Sequence, residues 1–191
     1  MIAISPVKQP LTLEEFLAEP ETKPHSEYID GTIEQKPMPQ GEHSLIQTLL
    51  SSKINGFGQP GKVALALTEL RCNIDGRSFV PDISVFTWNR IPKTEKGRIA
   101  NRVDTYPDWI IEILSPEQST NKVIKKIMFC LQAGTQLAWL IDPKDESVLI
   151  FKPQQFPEIK SDEDQLTALE QLSELNLSAE ELFGWLSFSG D

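Results

Sequence analysis

The chain has 191 residues, 28 acidic against 18 basic side chains and a formal net charge of -10, a length that fits one domain with tails. Hydrophobic residues at 39% can bury a core, while the two cysteines, Cys72 and Cys130, and two histidines argue against a disulfide scaffold or a zinc cluster. No apolar run approaches the roughly 18 residues of a membrane span, and the opening MIAISPVKQP lacks the apolar stretch of a secretory signal, so the expected location is the cytoplasm.

In chain order, residues 1–10 carry Pro6 and Pro10 without periodicity and read as an irregular arm. Thr12, with Glu15 three residues later, spells a capping box for a short helix that Pro20 stops. Residues 27–29 and 32–35 flank Asp30-Gly31, a strong local signal for a hairpin. Over 43–55, Leu45, Ile46, Leu49, Leu50 and Ile54 share one arc at helical spacing. Strands are predicted over 63–72, 78–86 and 109–114, the last nearly continuous in apolar residues and therefore buried on both faces. Between the last two lies a long loop, 88–107, with Arg90, Lys93, Lys96, Arg98 and Arg102 against Glu95 and Asp104. Structureless connections beyond about 15 residues are usually functional or mobile.

A second helix is predicted over 119–133, stopped by Gly134, followed by strands over 136–141 and 147–152 and a capped helix over 178–185. The order predicts an α/β sandwich over 11–152, with 153–191 as an acidic extension bearing the short helix. Up to Pro143 the charge is nearly balanced, 15 basic against 17 acidic; from Lys144 onward it is 3 against 11. The acidity that would repel phosphate therefore belongs to the C-terminal quarter.

Glu112 stands inside the apolar stretch Trp109-Ile110-Ile111-Glu112-Ile113-Leu114. An unpaired ionised carboxylate there costs several kcal/mol, so it needs a metal ion, an ion pair, or a proton and a hydrogen bond. Asp82, after Pro81, faces the side opposite Ile83 and Val85. Two carboxylates on adjacent strands supply the hard oxygens that Mg²⁺ or Mn²⁺ prefers. On the second long helix, Val123, Ile124, Ile127, Met128, Cys130 and Leu131 form the apolar face, with Lys126 at its border and Lys122 one turn earlier. Lys126 either turns toward the sheet to steady water or offset phosphate charge, or snorkels at the helix border.

Glu27, before the hairpin turn, and the pair His43 and Gln47, at i and i+4, either extend this site or are ordinary surface and capping residues. Glu69 and Arg71 alternate on one face of the 63–72 strand, which predicts an ion pair, and Arg71 could also bind a phosphate.

Four stretches carry a family resemblance: Glu27-Tyr28-Ile29-Asp30-Gly31, Val80-Pro81-Asp82-Ile83-Ser84-Val85, Ile111-Glu112-Ile113-Leu114-Ser115-Pro116, and Lys126 through Gly134 to Asp142-Pro143. Together they resemble the PD-(D/E)xK nuclease-like superfamily, and more closely the Uma-two family of restriction endonucleases. The resemblance implies a restriction-endonuclease-like core, a mixed central sheet flanked by helices with an N-terminal β-ribbon. It implies that Asp82 and Glu112 hold Mg²⁺, which Mn²⁺ can replace, with Glu27 as a further acidic contributor, and that the reaction is phosphodiester hydrolysis in DNA. The lysine that the superfamily places two residues after its acidic residue is replaced here by Leu114. In the closer family that role moves onto the helix, where Lys126 occupies the matching position.

On this reading DNA is the partner, tracked by Arg71, Arg90, Lys93, Lys96 and Arg98, and a homodimer is expected because two strands need two sites. The alternative is a nuclease-like fold without catalysis, acting as a nucleic-acid-binding or protein-interaction module.

Overall fold

The structure is a computed structural model and describes residues 11–116 and 118–188; the arm expected over 1–10 lies outside the described residues. The Thr12 hydroxyl accepts the Glu15 N–H at 3.2 Å and the Glu15 carboxylate accepts the Thr12 N–H at 2.7 Å, so the predicted capping box opens α1 (Leu13–Ala18). Asp30 and Gly31, both at positive φ, turn β1 (Ser26–Ile29) into β2 (Thr32–Gln35) as the predicted hairpin. The long helix α2 (Gly41–Gly58) then presents Ile46, Leu50 and Ile54 to the core.

Two predicted strands are each broken in two. The 63–72 strand ends at Thr68 because Glu69 adopts φ +50, leaving β3 (Ala64–Thr68) and β4 (Cys72–Ile74). The 78–86 strand is interrupted at Pro81, which has no N–H for a ladder, leaving β5 (Arg77–Phe79) and β6 (Ile83–Thr87). Each break passes the chain between sheets. One sheet has the order β2-β1-β5-β4. The other runs β10-β9-β8-β7-β6-β3 and takes in β7 (Trp109–Ile113), β8 (Leu137–Asp142), β9 (Ser147–Phe151) and β10 (Glu158–Lys160). Among the described residues only β7 and β8 pair in parallel, and the crossover between them is α3 (Thr120–Ala133).

The six-stranded sheet is packed on both faces. On one, α2 lies over Ile83, Val85, Ile111 and the edge-to-face pair Trp109 and Trp139, whose ring centroids are 4.7 Å apart. On the other, Val123, Ile127, Cys130 and Leu131 of α3 meet Ile110, Leu140 and Phe86, with Cys72, Ile74 and Phe79 arriving from the smaller sheet. Strand β7 is thus buried on both sides, as its apolar run predicts.

The segment beyond Pro153 corrects the sequence reading of an extension. Leu166, Leu169, Leu172, Leu175 and Leu177, with Leu182 and Phe183 of α4 (Ala179–Gly184), belong to the first core cluster, and Trp139 Nε1 donates to the Thr167 carbonyl at 2.9 Å. Its described acidic side chains lie at the surface while these leucines fill the core. No helix among the described residues is long and apolar enough to cross a membrane.

Gly134 ends α3 at φ +123, and a Cβ there would lie 2.4 Å from Tyr106 Cζ. Gly134→Ala is therefore expected to cost about 2 kcal/mol or more through backbone strain and displacement of Tyr106, read as a lower denaturation midpoint.

Candidate active site

Strands β6 and β7 run antiparallel with Ile83 opposite Ile111. One step further, Asp82 precedes Ile83 and Glu112 follows Ile111, so the ladder itself brings the two carboxylates to the same end of the pair. Because Ile83 and Ile111 point toward α2, alternation sends Asp82 and Glu112 to the face covered by α3.

Asp82 is buried and held on every side. Its Oδ2 accepts the Ile113 N–H at 2.7 Å and lies 3.2 Å from His43 Nε2, while its Oδ1 accepts from Lys36 Nζ at 2.6 Å. Burial would raise its pKa, but the Lys36 ammonium, His43 and the Ile113 N–H together hold the carboxyl well below the usual range. Gln47, one turn after His43, donates to the Asp82 carbonyl at 2.8 Å. The i and i+4 pair read from the sequence therefore grips one residue by its side chain and its backbone.

Lys126 turns inward, as the helical projection allows, and is only 7% exposed. Its Nζ lies 2.6 Å from Glu27 Oε1 and 2.8 Å from Glu112 Oε1. Burial alone would discharge it, yet Glu112 and Glu27 hold it as an ammonium above its ordinary range. Glu27 is fixed in turn by the Val80 N–H, which donates to Oε1 at 2.8 Å. Glu112 is the least satisfied member. Its Oε1 makes an ion pair without a well-aligned hydrogen bond, its Oε2 is 3.7 Å from Lys36 Nζ, and burial pushes its pKa up.

Lys36, one residue past β2, is absent from the sequence reading. Its Nζ donates to the Val80 carbonyl at 2.8 Å as well as to Asp82, and the two carboxylates keep it charged against burial. A signal existed: Glu27 pairs with Glu34 across the hairpin, so alternation puts Lys36, two residues on, on the ribbon face that carries Glu27.

Two cavities flank the cluster. The smaller, about 240 Å³, is lined by His25, Met38, His43, Glu69 and Asp82. The larger, about 870 Å³, is lined by Glu27, Arg77, Phe79, Lys122, Lys125 and Lys126. Lys36, Pro37 and Gln118 belong to both walls. Lys122 is exposed and 3.1 Å from Glu34.

Other candidates fall elsewhere. The expected Glu69–Arg71 ion pair does not form, because the chain turns at Glu69: Glu69 faces His25 at 3.4 Å, and Arg71 makes two 2.7 Å hydrogen bonds to Glu21, contacts Ser78 and the Ser26 carbonyl, and lies over Phe16. Arg90 is bound to the buried Asp108 and the Tyr106 carbonyl. The guanidinium groups of Arg71 and Arg90 are thus taken up by the fold. The loop after β6 joins the ends of β6 and β7 remote from the carboxylates, roughly 15 Å along the strand. Its exposed Lys93, Lys96 and Arg98 line neither cavity.

Among the described residues, no three His, Cys, Asp or Glu side chains group to hold a metal by themselves. Two carboxylates nevertheless fit Mg²⁺ or Mn²⁺, ions that keep water and substrate oxygens in their other positions, and the under-satisfied Glu112 oxygens are donors of that kind.

Burial pushes the thiols of Cys72 and Cys130 up to about 12. At pH 8 both are expected to resist a thiol reagent in the folded protein and to react once denaturant is added, measured by mass spectrometry.

A ribbon sheet set against a mixed sheet, with carboxylates from neighbouring strands facing a helix-borne lysine, defines the restriction-endonuclease-like class of α/β proteins. The chain belongs to the Uma2 family, described as "Putative restriction endonuclease", which matches residues 13–180. It is similar to the crystal structure of "a putative nuclease belonging to DUF820" from Anabaena variabilis ATCC 29413, at 52% identity over 93% of this chain and 100% of that one, with a TM-score of 0.91. No curated protein matches the chain.

Proposed function

We propose that the chain is a divalent-metal-dependent endonuclease that hydrolyses phosphodiester bonds in DNA, with Asp82 and Glu112 as the residues that hold Mg²⁺ or Mn²⁺. The observation that carries this reading is the convergence of Asp82, Glu112, Glu27 and Lys126 from four separate elements into one buried cluster, beside a cavity edged by lysines. A bound ion supplies Lewis-acid stabilisation of charge on the phosphoryl and leaving oxygens. Lys126, kept charged, serves as a hydrogen-bond donor to the attacking water or to a phosphoryl oxygen rather than as a base. Glu27 positions Lys126, while His43 and Gln47 position Asp82. Water adds to phosphorus as the ester P–O bond breaks, giving a phosphomonoester and an alcohol.

Lys122 and Lys125, on the wall of the larger cavity, contact the backbone near the cleaved bond, and Lys93, Lys96 and Arg98 contact duplex further away. A two-fold pair of chains offers one such centre to each strand, and the two free, buried cysteines suit a reducing cytoplasm.

The test is incubation of purified protein with supercoiled plasmid in Mg²⁺, Mn²⁺ or EDTA. Nicking in either metal and none in EDTA is expected. DNA that is bound but uncut in both metals overturns the proposal in favour of a silent nucleic-acid-binding fold.

A further inference from the structure

The ammonium of Lys36 lies where a cation shared by Asp82 and Glu112 would lie: 2.6 Å from Asp82 Oδ1 and 3.7 Å from Glu112 Oε2. The geometry points to an exchange, in which Lys36 is a tethered cation that fills the two-carboxylate site until a divalent ion expels it. This inference rests on the metal-dependent reading above and concerns the resting state of the same site.

Three observations support it. The first is steric and electrostatic. An ion coordinated by Asp82 Oδ1 sits about 2 Å from that oxygen, and Lys36 Nζ already occupies its lone-pair side at hydrogen-bond distance. Two cations on one carboxylate oxygen in a buried site repel strongly. The second is charge balance. Asp82, Glu112 and Glu27 face the ammonium groups of Lys36 and Lys126, three carboxyl groups against two ammonium groups. A dication in place of Lys36, together with Lys126, matches the charge of the three carboxylates.

The third is that Lys36 has somewhere to go. It lines both cavities, and the residues after it, 37–40, have no regular structure and include the exposed Met38. Rotation about its side-chain bonds carries the ammonium into the larger cavity, beside Lys122 and Lys125, without unpairing the Lys36 N–H from the His25 carbonyl. That movement opens the two cavities to each other across the carboxylates and adds a cation to the wall where phosphate is expected. Metal entry and phosphate binding are then coupled through one side chain.

The test is Mn²⁺ binding, followed by the electron paramagnetic resonance of free Mn²⁺ and by thermal melting with and without the ion. Wild type, Lys36→Met, Lys36→Arg and the double variant Lys36→Met with Glu112→Gln are compared. If the carboxylates are free of Lys36 for about 1–10% of the time, removing the competitor tightens Mn²⁺ binding about 10–100-fold. Lys36→Met is expected to show that gain, together with a larger Mn²⁺-induced rise in Tm than wild type. Lys36→Arg is expected to show neither, and the double variant to lose the gain. Should Lys36→Met be unfolded without metal, folding driven by Mn²⁺ at concentrations below the wild-type Kd is the equivalent result.

Mn²⁺ affinity in Lys36→Met equal to or weaker than wild type overturns the exchange, as does a gain that persists in the double variant. Tighter Mn²⁺ binding by Lys36→Met alongside a wild type that cuts no DNA would sink the nuclease reading and leave the exchange standing. Cleavage by wild type with unchanged affinity in Lys36→Met would sink the exchange alone.

Discussion

Glu112→Gln is expected to lower the initial rate of metal-dependent plasmid nicking by about 10³-fold or more at fixed metal concentration. The substitution keeps the size and shape of the side chain but removes one of the two carboxylates proposed to hold a divalent ion against the phosphoryl group. The ammonium of Lys126 would keep only Glu27 as a charged partner at contact distance. The fold should survive, because burial already pushes the Glu112 pKa up, a neutral amide costs less to bury than a carboxylate, and Glu27 still pairs with Lys126. The measurement therefore couples nicking rates to Tm. A variant that keeps both its Tm and its rate contradicts the assignment, whereas loss of rate with Tm retained supports it. Lys126→Met is expected to lose the rate as well, but with a visible loss of Tm, since it leaves Glu27 and Glu112 without their shared cation.

Truncation after Pro153 is expected to abolish folding. It removes Leu166, Leu169, Leu172, Leu175, Leu177, Leu182 and Phe183 from the core that lies against Trp139 and α2, and strips Trp139 Nε1 of its acceptor. Each large apolar side chain contributes about 1.5–3 kcal/mol on burial, and the seven together contribute about 10–20 kcal/mol, as much as the roughly 5–15 kcal/mol by which a domain is stable or more. Circular dichroism melting of the shortened chain should show no cooperative transition. A sharp melt near that of the full chain would contradict the packing described for this segment.

The parts of the fold legible in the sequence are those written in local chemistry. Asp30-Gly31 is a turn because both residues take positive φ, and α3 stops at Gly134 because the chain there adopts φ +123. The unbroken apolar run of β7 marks a strand covered on both faces, which is what makes its one charged residue, Glu112, conspicuous. The breaks at Glu69 and Pro81 were not legible: the residues on either side each suit a strand, and what separates them is the transfer of the chain from one sheet to the other. The C-terminal segment was misread because net charge averages over its leucines, which recur at every third position from Leu166 to Leu175.

The site divides in the same way. Asp82 and Glu112 are visible as polar residues inside apolar strands, Lys126 as a base at the border of an apolar helix face, and His43 with Gln47 as an i and i+4 pair. Lys36 was hidden because its role depends on hairpin register and on the segment beyond it folding over the carboxylates. The place of the basic loop relative to the carboxylates is hidden for a related reason. Its charge is local, but its distance from the site follows from the antiparallel pairing of β6 and β7, which places Asp82 and Glu112 at one end of the ladder and the loop at the other.

The most direct test of the central claim is anomalous scattering from crystals of the full chain soaked in Mn²⁺. The account predicts a manganese peak within about 2.2 Å of one Asp82 and one Glu112 carboxylate oxygen, with Lys36 turned away from Asp82. Manganese found only on surface carboxylates, at concentrations that support DNA cleavage, would contradict it.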